Sequence, residues 1–261
     1  MIGVIGALDE EVSLLTQALQ LSQSVQKAGI PFWSGTIDGT PTVIAKAGIG
    51  KVNAAICTQI LIDRFEVDSV IFTGVAGGLL PSLKIGDIVV SNGTVQHDFD
   101  LTVFGRRPGE IPVSPRHGLL DQSLLDRLQT EYGKDLTTLI GSVRVVEASE
   151  DLVQLACDAF DNLRPSLTDP PDLVVGTIVS GDRFISGTEG LSLQRSFGAI
   201  CAEMEGAATG YVCYMNNVPF VIIRSISDQA DGTGPEDFVK FSQQAASVSS
   251  KLVMIMIQRG E

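Results

Sequence analysis

Short apolar runs closed by glycine alternate along this chain with longer segments of helical period, and that alternation restricts its fold more than any other feature. Residues 1–7 (MIGVIGA) read as a strand buried on both faces, since no polar residue interrupts the run. Residues 9–21 follow with Val12, Leu14, Leu15, Leu19 and Leu21 at helix-like spacing. FWSGTI (32–37) and TVIAKA (42–47) flank Asp38-Gly39, a strong signal for a two-residue hairpin turn. A helix is predicted over 51–65, with strands at 69–74, 86–92, 173–181 and 220–227. Further helical stretches fall near 118–131, 149–163, 204–216 and 236–257. The pattern predicts an α/β fold: a three-layer αβα arrangement around a mixed central β-sheet. The segment 164–172 (RPSLTDPPD) reads as a surface loop too short for a linker, so a single domain over 1–261 is expected.

Charge and cysteine usage narrow the partners. The formal net charge is −13, which disfavours a nucleic-acid polymer, because neutralising phosphates needs a basic surface. It gives no hold on an anionic membrane either, so a small neutral or cationic substrate is expected. Cys57, Cys157, Cys201 and Cys213 form no CxxC pair and sit in apolar or helical contexts, as free thiols in a reducing compartment do. The opening MIGVIGALDEEV lacks a basic n-region, and no run of 18 or more uncharged apolar residues occurs. A cytoplasmic location is the expectation.

In open α/β sheets ligands bind beyond the carboxyl ends of the strands. Those ends here are Leu8 to Glu11, Thr73 to Gly78, Ser180 to Ile185, Ala202 to Glu205, and Ser225 to Asp228; four of the five carry an acid. Taken singly, each acid has a structural reading. Glu11 sits in an acidic first turn that complements a helix dipole, and Glu203 and Glu205 would share one face if extended. Taken together, carboxyl groups on three strand ends of one sheet form a candidate site.

Other signals fail. AKAGIGKVNAA (45–55) has Val52 where a phosphate loop needs Ser or Thr, and GIGKVN has Asn53 in place of the third glycine of a dinucleotide fingerprint. His97-Asp98-Phe99-Asp100 offers acids beside a histidine, but with two histidines in the chain and no second cluster no metal is expected. TGVAGGL (73–79) is a strand-to-turn sequence whose glycines allow backbone amides close to a ligand.

GVIGALDEEV, AGIGKVNAA, TGVAGGL, KIGDIVVS, HDFDLTVFG, VSGDRFISG, AEMEGAA and RSISDQAD, in this order, resemble the methylthioadenosine/S-adenosylhomocysteine nucleosidases of the purine nucleoside phosphorylase-like superfamily. The resemblance runs over residues 1–257, with roughly 30 extra residues within 119–172. It implies hydrolysis of the N-glycosidic bond of 5′-thio-substituted adenosines without a cofactor. It also implies roles for particular residues. Glu11 would activate the attacking water, Glu205 would hold the ribose hydroxyls with Glu203 beside it, and Asp228 would deliver a proton to purine N7. Phe184 would stack on adenine and the Ile185 backbone would bond its edge, with Ala76 and Gly77 lining the base side. Met204 would pack under the ribose, while Leu8 and Ile49 would wall the 5′-thio group. Arg224 and Ser227 would steady the water and Asp228. Leu101 and Phe104 match residues lent by a neighbouring subunit, which implies a homodimer.

The residue types suit the chemistry. An N-glycosidic bond breaks with positive charge growing on the sugar and negative charge on the base, so carboxylates belong near the first and an acid near the second. Two departures stand out. Val75 replaces the serine of the family's TGSAGG, and Pro235 occupies the region of an aromatic over the 5′ tail, where Phe238 could substitute. Three other functions compete: a phosphorylase using phosphate, a hydrolase of another purine nucleoside such as futalosine, and a non-catalytic nucleoside-binding protein. Asp9-Glu10-Glu11 would repel phosphate, and the glycine turn at 73–78 carries no arginine to attract it.

Overall fold

The computed structural model describes residues 1–113, 141–231 and 234–259; the helix expected near 118–131 lies outside them. β1 (Ile2–Gly6) leads into α1 (Asp9–Ala18), and three strands follow: β2 (Gln20–Lys27), β3 (Ile30–Ile37) and β4 (Thr40–Lys46). α2 (Lys51–Phe65), β5 (Ser69–Gly78), β6 (Ile88–Gln96), β7 (Ile111–Val113), β8 (Gly141–Val143) and β9 (Val146–Glu147) come next. The remainder is α3 (Glu150–Leu163), β10 (Leu173–Ser180), α4 (Glu189–Phe197), β11 (Cys201–Glu203), α5 (Gly206–Asn216), β12 (Phe220–Asp228) and α6 (Gly234–Arg259).

One mixed sheet organises the chain, in the order β11-β10-β6-β12-β5-β1-β4-β3-β2, with β9 on β6. β1 lies parallel between β4 and β5, and β12 runs parallel to β5 but antiparallel to β6. β11 pairs with β10 on one side and with the end of β5 on the other, through Cys201↔Gly78 and Ala202↔Gly77. The circuit β5-β12-β6-β10-β11 is therefore closed, and the strand ends on it face one another. The expected hairpin is present: β3 and β4 pair antiparallel with Ile37 opposite Thr40, and Asp38 and Gly39 both adopt positive φ. A two-residue turn that follows the strands' twist requires that conformation at both positions.

Neighbouring residues on the buried strands feed cores on opposite faces, as the pleat requires. Ile5, Phe72 and Ile222 join a cluster with Ala54, Cys57 and Leu61 of α2 and Cys213 of α5. Val4, Ile71, Val221 and Ile223 join one with Val12 and Leu15 of α1, Phe160 of α3, and Leu252 and Met256 of α6. Helices thus cover both faces, which is the three-layer arrangement expected. α1 is shorter than its apolar spacing implies. It ends at Ala18, and the chain turns into β2, a nearly all-exposed edge strand with no apolar face to betray it. The three-residue β11 and α4 are likewise absent from the sequence pattern.

Candidate active site

Glu11 is placed by the start of α1. From the third helical position its side chain reaches back to the Leu8 amide at 3.0 Å, as a capping glutamate does. The same oxygen accepts from the Ala7 amide at 2.6 Å, and the other accepts from the Val75 amide on β5 at 3.0 Å. The carboxyl is 1% exposed, so one group serves as helix cap and as link between two strand ends. Ser250 of α6 donates to the Glu11 carbonyl at 3.0 Å and fixes that turn from behind. Only glycine fits at position 74: a Cβ there would lie 2.5 Å from Glu11 Oε1 and 2.2 Å from Arg224 Nη1.

Arg224 projects from β12 and is 1% exposed. Its guanidinium lies 4.6 Å over the Phe72 ring. Nη2 donates to Glu203, with Glu205 at 3.5 Å, while Nη1 lies 3.5 Å from the Val75 carbonyl and 4.0 Å from Glu11 Oε1. The two glutamates do not meet through strand alternation. β11 ends at Glu203 and Glu205 is the N-cap of α5; the shared arginine brings their carboxyls together. Glu205 Oε1 also accepts from the Gly50 amide at 2.8 Å, tying the start of α2 to the site.

Asp228 ends β12, where Ser227 Oγ donates to it at 2.9 Å and the Ala230 amide at 2.8 Å. A Cβ on Gly77 would come within 2.9 Å of Asp228 Oδ1. Glu11 and Asp228 therefore lie against β5 at residues 74 and 77, which a rise of about 3.3 Å per residue separates by about 10 Å. That span accommodates a glycosidic bond together with an attacking water.

Burial raises the pKa of Glu11, opposed by Arg224 and by the Leu8, Ala7 and Val75 amides. Burial likewise raises Asp228; the Ala230 and Ser227 donors oppose it, while Asp237 and Asp231 push the same way. One acid is thus offset by a cation and the other reinforced by anions, the kind of environment that divides carboxyls between base and acid. Glu205 is pushed up to about 7, by burial first and then by Glu203.

These groups open into one cavity of about 530 Å³. Of the residues expected from sequence, Leu8, Glu11, Ile49, Ala76, Gly77, Phe184 and Ile185 line it, as do Glu203, Met204, Glu205, Arg224, Ser227 and Asp228. The two departures, Val75 and Pro235, line it too, as does Phe238, the substitute aromatic. Phe238 meets Phe184 edge to face at 5.8 Å. Leu101 and Phe104 are not in the lining; the 3-10 turn Thr102–Phe104 holds Phe104 78% exposed. Asp98, considered above beside His97, instead pairs with Lys51, and the Asp182 amide donates to it at 3.0 Å. Among the described residues no His, Cys, Asp or Glu cluster could hold a metal ion. Sequence reasoning missed the Gly50 amide, the constraint at Gly74, and Ser180, whose hydroxyl donates to Glu203. Backbone donors leave no residue-type signal.

The family model of the phosphorylase superfamily matches residues 1–258. The chain belongs to the phosphorylase superfamily. Within it, a 5′-methylthioadenosine/S-adenosylhomocysteine nucleosidase of Colwellia psychrerythraea is 39% identical over 98% of this chain and 94% of its own. The Neisseria meningitidis nucleosidase of that name, solved with methylthio-immucillin-A, superimposes with a TM-score of 0.83 at 32% identity, covering 98% of each chain. Futalosine hydrolase of Helicobacter pylori gives 0.82 at 31% identity, covering 98% of this chain and 97% of that one. This superfamily member therefore matches hydrolases of both names over nearly the whole of each chain.

Proposed function

We propose that this enzyme hydrolyses the N-glycosidic bond of 5′-methylthioadenosine and S-adenosylhomocysteine, releasing adenine and the 5′-thioribose. The observation that carries the reading is the unequal setting of two buried carboxyls on one cavity. Glu11, with Arg224 at 4.0 Å, is suited to take a proton from water. Asp228, whose pKa is raised by burial and further by Asp237 and Asp231, is suited to hold a proton and give it to purine N7. Glu205, with an oxygen left for a hydroxyl, binds the ribose. Phe184 is half open to the cavity and stacks on the base, and Leu8 and Ile49 receive the 5′-thio group.

Water rather than phosphate is the nucleophile. Four carboxyl groups, Glu11, Glu203, Glu205 and Asp228, line the cavity. Its two arginines are already engaged, Arg224 by Glu203 and Arg183 by Glu189 at 2.8 Å. The test is release of free adenine from methylthioadenosine, with equal rates in the presence and absence of phosphate. A phosphate requirement would convert the reading to a phosphorylase, and turnover of futalosine alone would move it to the other hydrolase.

The active unit is a homodimer in this reading. Val103 and Phe104 are 84% and 78% exposed, and Val52 of α2 is 70% exposed. Lys51 pairs with Asp98 and so ties the start of α2 to the loop that leads to Val103 and Phe104, and exposed apolar side chains of this kind suit an interface. Leu101 and Phe104 would complete the cavity of the second copy. A cytoplasmic location accords with four cysteines that are all free, and no described helix is long and apolar enough to cross a membrane.

A further inference from the structure

Glu203 and Glu205 face the same arginine, but they differ in what remains free on them. A carboxylate has about four lone-pair sites. On Glu203 four donors fall unevenly: Ser180 Oγ alone on Oε1, and on Oε2 the Glu205 amide at 3.1 Å, the Gly206 amide at 2.8 Å and Arg224 Nη2. Glu205 accepts one short bond, from Gly50, and one long contact of 3.5 Å from Arg224. A ribose hydroxyl finds more free acceptor capacity on Glu205 than on Glu203, whose Oε2 is filled and whose Oε1 is held by Ser180.

Arg224 spans the site, with Nη2 in Glu203 and Nη1 toward Glu11 and the Val75 carbonyl. Its Nε is buried and makes no hydrogen bond. The side chain of Val75, which lines the cavity, offers no hydroxyl to help orient the guanidinium or the water. The anchoring of the fork therefore falls on its strongest partner, Glu203, which Ser180 holds from the opposite oxygen while also accepting the Ala207 amide at 2.7 Å.

We infer that Glu203, braced by Ser180, is a positioning residue that sets the Arg224 guanidinium between Glu11 and Glu205 and makes no contact with substrate. The inference rests on the hydrolase reading above. Capping of α5 accounts for the Gly206 and Ala207 amides, but it leaves the ion pair with Arg224 unused, so the two roles part in experiment. Capping affects stability alone; positioning affects turnover.

The test compares the unsubstituted protein with Glu203→Gln and Ser180→Ala by adenine-release kinetics, melting temperature and a crystal structure of Glu203→Gln. Glutamine keeps an oxygen for the α5 amides and removes the charge that holds Arg224. The expected result for Glu203→Gln is a kcat about 10²-fold lower, the size of effect a displacement of about 1 Å produces. KM should stay within about threefold. Ser180→Ala, which removes one neutral hydrogen bond, should lose about two- to tenfold in kcat. The kinetic inflection belonging to Glu205 should also move below about 7 in Glu203→Gln, because the negative charge of Glu203 is one cause of its elevation; Arg224, Glu11 and the Gly50 amide are the other groups facing it. In the crystal, the Arg224 fork should leave its place beside the Val75 carbonyl. A raised KM at unchanged kcat would mean that Glu203 binds substrate, and lowered melting with normal kinetics would mean that it only caps; either overturns the inference. An unsubstituted protein that releases no adenine overturns the functional reading instead, and an unmoved Arg224 in the variant crystal overturns positioning whichever way that assay falls.

Discussion

Val75→Ser tests whether the nucleophile in this chain lacks a hydrogen bond that its pocket could supply. Val75 is 7% exposed, lines the cavity, and packs on Ala245, Ala246 and Phe238. Its amide, which holds Glu11 at 3.0 Å, survives the substitution, so Glu11 keeps its anchor. A hydroxyl placed there would add a hydrogen-bonding group to the cavity wall beside Glu11 and Arg224, where the proposed water would attack. One such bond is worth about 0.5–1.5 kcal/mol net, hence about a two- to tenfold rise in kcat if it acts mainly in the transition state. Against it stands the loss of a packed branched side chain, about 1–3 kcal/mol of stability. For a chain of this size that lowers the melting temperature by about 2–10 °C. Rate and melting measured on the same samples separate the two effects. A variant that is folded yet slower at saturating methylthioadenosine would refute the reasoning and show that the apolar wall itself is what the nucleophile geometry requires.

The other predictions concern the two acids, pH and assembly. Glu11→Gln keeps size but cannot accept a proton, so turnover should fall by about 10²–10⁴-fold with substrate-analogue binding retained; near-normal turnover would reduce Glu11 to a helix cap. Asp228→Asn should abolish adenine release while a nitrophenyl riboside, whose leaving group needs no proton, loses far less; equal losses would make Asp228 structural. Folding raises the pKa of Glu205 from an ordinary 4.5 to about 7, so its contribution to stability is complete below about 4.5 and lost as pH rises through 7. Glu11 and Asp228 shift in the same direction. Melting temperature should therefore fall between pH 5 and 8, and Glu205→Gln should flatten that slope. Phe104→Asp should convert a dimer seen by light scattering into a monomer with a lower rate; a fully active unsubstituted monomer would contradict the assembly.

The layers of the fold were legible because the strands that build them are apolar on both faces, as in MIGVIGA and FVIIRSIS, and because Asp38-Gly39 dictates its own turn. β2 was not, since QLSQSVQK carries the polarity of an exposed edge and its pairing comes from β3 rather than from its own pattern. At the site, the acids announced themselves by standing at strand ends. What no residue pattern could give is the convergence of Glu203 and Glu205: it depends on Arg224 arriving from β12 and on a helix that begins one residue after Glu205. Ser180 was visible within VSGD as part of a motif, but its use as a brace needs β10 and β11 side by side.

The closed circuit of strands has a further consequence. β11 contributes few ladder bonds, yet it joins Cys201 and Ala202 to the end of β5, a partner far away in the chain. The entropy cost of joining such distant segments rises only slowly with the length of chain between them, while contacts of that kind slow folding. Glu203 and Glu205 lie just after that junction, so the pocket depends on strands from distant parts of the chain being held together. A ligand bridging β5, β11 and β12 then acts as a clasp, and amides in strands far from the cavity should exchange their hydrogens more slowly when it is filled.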